Sequence, residues 1–201
     1  GLPRAHGPAR GGSGPFSPHR RAPPPAARRS APRDPARRAL GRARDRLQPL
    51  ADAGAEAVAA DLRDADAVAD ACLGVAQLVS TANNALGHGA SSPNHVDLAA
   101  YRTLAAAARH GGISRWLHVS ARGLTADSIV DYFRVKARID DLVRASGIPF
   151  VLLQPTAFMD IWIDQILAKG IREKGVAMIF GDGRNVANYI AVEDVAQFAV
   201  K

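Results

Sequence analysis

Residues 116–136 read WLHVSARGLTADSIVDYFRVK, and the fold follows from what this stretch must form. Trp116 to Val119 is a short apolar run ending at the hydroxyl of Ser120, which predicts a buried strand with a polar group at its tip. A polar connection follows, then a predicted helix opened by a capping box of Ser128 and Asp131 and stopped at Gly147. Tyr132 and Lys136 lie four residues apart in that helix. That is one turn on one face, so phenol and ammonium share a space. A lysine charge favours the phenolate and is expected to lower a pKa normally about 10, letting Tyr132 trade a proton with a substrate near neutral pH. Ser120, at the carboxyl end of the strand, can hydrogen-bond the same substrate oxygen. The spacing alone also fits a tyrosine on a half-buried helix with a solvated lysine one turn away.

The 201 residues suffice for one domain, or one domain with an appendage. The net charge of +7 suggests nucleic acid until it is divided along the chain. Residues 1–50 hold 12 Arg against 2 Asp, whereas residues 51–201 carry three more acidic than basic side chains. The first quarter also holds 10 of the 13 prolines. Such a segment cannot bury enough surface to offset its ordering entropy, so residues 1–46 are expected to be disordered, or to be aberrant sequence replacing part of a domain. Nucleic acid is not the expected partner, because only Phe16 interleaves the arginines and no binding motif is present. No apolar signal segment opens the chain and no run of 18 apolar residues exists, so no membrane association is expected. The single Cys72 permits no internal disulfide, fits a reducing cytoplasmic setting, and reads as a small buried hydrophobe on a helix. The six histidines show no metal-ligand spacing, and no metal site is expected.

From Leu47 onward short apolar runs alternate with helical stretches. Strands are predicted at 56–60, 75–79, 116–119, 149–153 and 176–180; helices are predicted to end near Ala53 and to cover 65–73, 94–110, 128–146, 157–173 and a last stretch opening near Val192. This alternation predicts an α/β fold, a doubly wound parallel sheet of Rossmann type. Ligands of such sheets bind at the carboxyl ends of the strands, where Asp61, Ser80 to Asn84, Ser120 and Pro155 to Phe158 all fall.

The segments ADLRDADAVADACLGVAQLVST, RWLHVSARG, DYFRVKARIDDLVRASGIPFVLLQPTAFMD and FGDGRNVANYIAVEDVAQFAV resemble the NmrA-like, or atypical, branch of the short-chain dehydrogenase/reductase superfamily over residues 47–201. The resemblance implies an NAD(P)-binding domain, with NADP favoured over NAD, and a small-molecule substrate. It implies that Asp61 and Leu62 meet the adenine, that Thr81 and Asn83 border the nicotinamide ribose, and that Lys136 binds ribose hydroxyls. Pro155, Thr156 and Phe158 would wall the nicotinamide, and Tyr132, Lys136 and Ser120 would be catalytic. The implied activity is hydride transfer from NAD(P)H to a small carbonyl, enone or quinone; the alternative is a regulator that senses NAD(P) without turnover.

The sequence departs from the family at three places. A strand, a GxxGxxG loop and a helix should open the domain; Gly11, Gly12 and Gly14 form the only glycine cluster there, with neither strand nor helix beside them. The fold is therefore expected to be incomplete at its N-terminus, with Arg33 or Arg44 as the basic residue for a 2′-phosphate. Ala121 stands where relatives place the catalytic hydroxyl, leaving Ser120 as substitute, and the chain is expected to be truncated at Lys201, where relatives continue.

Overall fold

The computed structural model describes residues 37–84, 92–179 and 181–201. Strand β4, Arg115–Val119, lies at the centre of a parallel three-stranded sheet between β3, Gln77–Ser80, and β5, Phe150–Leu153. Trp116 pairs with Leu78 on one side and with Phe150 on the other. Successive side chains on a strand point to opposite faces, and Trp116, His118 and Ser120 are all buried on one of them. Helix α3, Pro93–His110, and helix α4, Asp131–Arg144, pack against each other. Their Tyr101, Leu104, Ala108, Val135, Ile139 and Val143 join Trp116 in the core. Trp116 is fully buried, and truncating such a side chain to alanine costs about 3–5 kcal/mol.

Helix α2, Ala65–Cys72, starts on the carboxylate of Asp64, which accepts the Ala67 amide, and packs against α3. The helices end in close approach at Gly111, where a Cβ would stand 3.0 Å from the Cys72 carbonyl oxygen. Cys72 is buried, as expected, and burial raises its thiol pKa.

A second parallel pair joins β1, Arg38–Gly41, to β2, Glu56–Ala59, through helix α1, Arg44–Asp52. This corrects the expectation of disorder through residue 46, because a strand and the start of a helix lie inside that segment. The strand hides there because RALG offers two apolar side chains between arginines; its order comes from the ladder to β2 and from the Arg38 guanidinium, which bonds Glu56 and the carbonyls closing α2. The expectations for residues 1–36, including Gly11, Gly12, Gly14 and Arg33, lie outside the described residues.

No ladder joins β1 to β3 among the described residues. A cavity of about 580 Å³ is lined by Arg38 and Leu40 of β1, by Leu78 and Val79 of β3, and by Val68 and Cys72 of α2. A doubly wound sheet in its usual strand order has one more parallel strand at this position. The described residues supply none.

Past β5 the chain departs from expectation. Ala157–Phe158 forms a two-residue strand, β6, paired with β7, Tyr189–Ile190. The predicted helix over 157–173 becomes a π-helical stretch, Asp160–Ala168, running into α5, Lys169–Lys174. The predicted strand over 176–180 is absent among its described residues, 176–179, which are exposed and outside any ladder. An apolar run becomes a strand only where a partner edge takes its backbone groups, and no ladder among the described residues reaches 176–179. Helix α6, Val192–Ala199, opens where predicted.

Candidate functional site

The carboxyl ends of the strands carry two groups of polar residues. The first surrounds a cavity of about 120 Å³ lined by Gly41, Arg42, Asp61, Leu62, Asn83 and Asp97, among others. The β1 and β2 ends are tied there by the Ala60 amide donating to the Gly41 carbonyl. Asp61 accepts from its own turn, from the Arg63 amide at 2.9 Å and the Arg63 guanidinium at 2.8 and 3.0 Å. That guanidinium, outweighing partial burial, holds the Asp61 carboxyl down at about 2. Asn83 donates to the Thr81 carbonyl at 3.3 Å and so shapes its own loop. Thr81 lines the larger cavity between β1 and β3.

The second group lies where α4 meets the end of β4. Tyr132 and Lys136 share a face as predicted, with the ammonium nitrogen 5.6 Å from the phenol ring centre. Lys136 is buried and donates to the Val119 carbonyl at 3.3 Å, one residue before Ser120. The Ser120 amide donates to the Leu153 carbonyl, and the Arg122 amide to the Pro155 carbonyl, so the turn after β4 is laced to the turn after β5. The Ser120 hydroxyl is buried and has no hydrogen-bond partner among the described residues. Thr156 and Phe158 are half-buried, and no hydrogen bond or ring contact among the described residues joins either to Tyr132 or Lys136.

Two local expectations are corrected. Burial first, and the Asp97 charge second, push the Tyr132 phenol up to about 12, against the expected lowering by Lys136. Removing the phenolate from water costs more than an ammonium packed on the ring face returns. Ser128 is not the cap of α4: the N-cap is Val130, whose side chain caps nothing, and the Ser128 hydroxyl instead accepts the Val130 amide.

Sequence reasoning missed three residues at these groups. Arg42 directly follows β1 and lines the smaller cavity, so its charge bears on Asp61 and Asp97; the expectation had named Arg33 and Arg44. The signal was its place after a four-residue run that pairs with 56–59. Asp97 is buried on α3 and accepts the Asn84 amide at 2.9 Å. Asp140, one turn beyond Lys136, is buried with His118. No group of three or more His, Cys, Asp or Glu side chains able to hold a metal ion occurs among the described residues. None of their helices is long and apolar enough to cross a membrane.

Solved structures share this fold. Triphenylmethane reductase from Citrobacter sp. superposes with a TM-score of 0.64 at 20% identity, over 80% of this chain and 53% of that one. The dTDP-glucose 4,6-dehydratase of Streptomyces venezuelae, with NAD bound, gives 0.62 at 24% identity, over 77% and 56%. ChuY, an anaerobilin reductase from Escherichia coli O157:H7, gives 0.55 at 21% identity, over 80% and 74%. The chain thus spans about half the length of the first two. No curated protein matches it. A family model described as NAD(P)H-binding matches residues 28–201, and the chain belongs to that NAD(P)H-binding family, with a Rossmann-type α/β fold.

Proposed function

We propose that this chain is the nucleotide-binding part of an NAD(P)H-dependent oxidoreductase acting on a small carbonyl, enone or quinone. The observation that carries the reading is the buried Lys136, set against the Tyr132 ring and anchored to the strand end that delivers Ser120. The residues fit the adenosine end of the cofactor, where Asp61 offers an acceptor and Arg42 a cation for a 2′-phosphate, which favours NADP. The fit is partial. The cavity there is about 120 Å³, below the 300–1,000 Å³ of whole ligand sites, and no glycine-rich phosphate turn occurs among the described residues.

When bound, the nicotinamide supplies a hydride. This chain's own residues then manage the proton. At neutral pH a phenol held up near 12 is fully protonated, so Tyr132 is a donor to the developing alkoxide or enolate. Lys136 offsets the charge left on the phenolate oxygen, and its remaining N–H groups serve ribose hydroxyls. Ser120, whose hydroxyl lacks a partner, orients the substrate oxygen. Thr81 and Asn83 would border the ribose, Leu62 would meet the adenine beside Asp61, and Pro155, Thr156 and Phe158 would wall the nicotinamide.

The test is NADPH consumption with a panel of quinones and enones, beside nucleotide binding followed by tryptophan fluorescence. Tyr132→Phe is expected to lower turnover by at least about 10²-fold with nucleotide affinity unchanged. Unchanged turnover removes Tyr132 from the chemistry. The second reading, a regulator binding NAD(P) without turnover, is favoured by the burial of the Ser120 hydroxyl; it predicts affinity without consumption across the panel.

A further inference from the structure

The buried side of α4 carries more charge than proton donation needs. Lys136 and Asp140 occupy successive turns of one face, and both are almost wholly buried. Lys136 is fixed to the end of the central strand by donating to the Val119 carbonyl, and one Asp140 oxygen lies 3.7 Å from His118 Nε2, beyond hydrogen-bond reach. The other Asp140 oxygen accepts from Gln154, at the end of β5. On α3, which packs against α4, Asp97 is also buried, with one oxygen on the Asn84 amide, and its charge bears on Lys136. A lone ammonium in such a place loses its proton rather than its hydration; a buried charge persists only with opposite charge beside it.

We propose that Asp97 and Asp140 are positioning residues for Lys136, two buried carboxylates on adjacent helices that keep its side chain an ammonium directed at the tip of β4. In this role they act through the lysine. The groups around Lys136 are Asp97 from α3, Tyr132 and Asp140 from α4, and His118 from β4, with the Tyr101 ring packed on His118. The two aspartates are the carboxyl groups of this set; burial raises the Asp97 pKa, and the Asn84 amide and the Lys136 charge oppose that rise. Burial keeps His118 neutral and raises both tyrosines, so neither ring offers a counter-charge. For Lys136 itself burial works to lower the pKa, and Asp140 and then Asp97 oppose it. The catalytic meaning of the arrangement rests on the role proposed above for Lys136, whereas its electrostatic content does not.

The experiment is a pH titration of the lysine side chains by NMR in protein labelled at lysine Cε and Nζ. The Lys136 signal is assigned by its loss in Lys136→Met, against the exposed Lys169, Lys174 and Lys201. In the wild type Lys136 is expected to stay charged at pH 7.5 while titrating below the exposed lysines. Asp140→Asn and Asp97→Asn are each expected to move its midpoint down by about one pH unit or more. Midpoints unchanged in both variants overturn the proposal. If one variant fails to fold, the other decides; if neither folds, a wild-type Lys136 already neutral at pH 7.5 overturns the idea and a charged one supports it. The titration needs no turnover, so a wild type inactive on every substrate sinks the oxidoreductase reading and leaves this result standing. Where turnover is present, the alkaline limb of kcat/KM is expected at lower pH in both variants, a shift that a purely structural role would not produce.

Discussion

His118 has no exposed surface and contacts the Ser80 hydroxyl through Nδ1 at 2.9 Å, the edge of the Tyr101 ring and, at 3.7 Å, Asp140. Burial, with the Lys136 charge adding to it, pulls its pKa down to about 4, so the Asp140 contact is no ion pair at neutral pH. Folding stability must therefore depend on pH through this one ring. A histidine whose folded pKa lies below its unfolded value near 6.5 contributes no penalty above that value; as pH falls from 6.5 toward 4 the unfolded chain takes up the proton and the fold does not. Between pH 7 and pH 5 this withdraws roughly 2 kcal/mol of stability. Urea unfolding at the two pH values is expected to show that loss in the wild type and a much smaller one in His118→Gln. An equal loss in both would mean that His118 titrates normally in the fold.

At the scale of elements, α4 is where local and tertiary preferences conflict. The position before its first residue is Val130, extended at φ −86° and ψ 114°, which is a capping geometry without a capping side chain. Val130 is 44% exposed, so only part of its side chain packs and the loss on changing it is smaller than in the core. Val130→Ser places an acceptor over the free amides of the first turn and is expected to raise stability by about 1 kcal/mol in denaturant unfolding. No gain would show that the Ser128 and Arg134 contacts already settle this turn. The same helix shows what was legible beforehand. Its body, its meeting of Tyr132 with Lys136, and the strand before it followed from periodicity, because apolar residues at helical spacing have one way to face a core. Its start did not, because Ser128 and Asp131 satisfy a capping pattern that the backbone did not use. The rise in the Tyr132 pKa was equally hidden: sequence gives the neighbour along the helix but not the depth of burial or the approach of Asp97 from α3. Arg42 was lost among arginines, and its strand shows only in the ladder to β2.

Over the whole molecule, burial is uneven. The core draws on α2, α3, β4 and α4, with Trp116, Tyr101, Val135 and Val143 almost wholly enclosed. The β1–α1–β2 unit contributes one buried side chain, Leu47, with Leu40 partly buried against the core. The large cavity separates its ladder from β3, so the continuous sheet that would tie both halves together is interrupted among the described residues. Backbone bonds open at a free energy set by how much apolar surface must be exposed with them. Amide hydrogen exchange is therefore expected to divide the molecule. Amides of Trp116 to Val119 and the middle of α3 and α4 should exchange near the global unfolding limit, while those of Leu40 to Ala59 exchange by a local opening of much lower free energy. Saturating NADPH should slow the second group more than the first, because its proposed contacts at Arg42 and Asp61 lie on that unit. Uniform protection across both ladders would mean that the halves unfold together. The cavity would then be spanned by interactions stronger than the apolar contacts lining it.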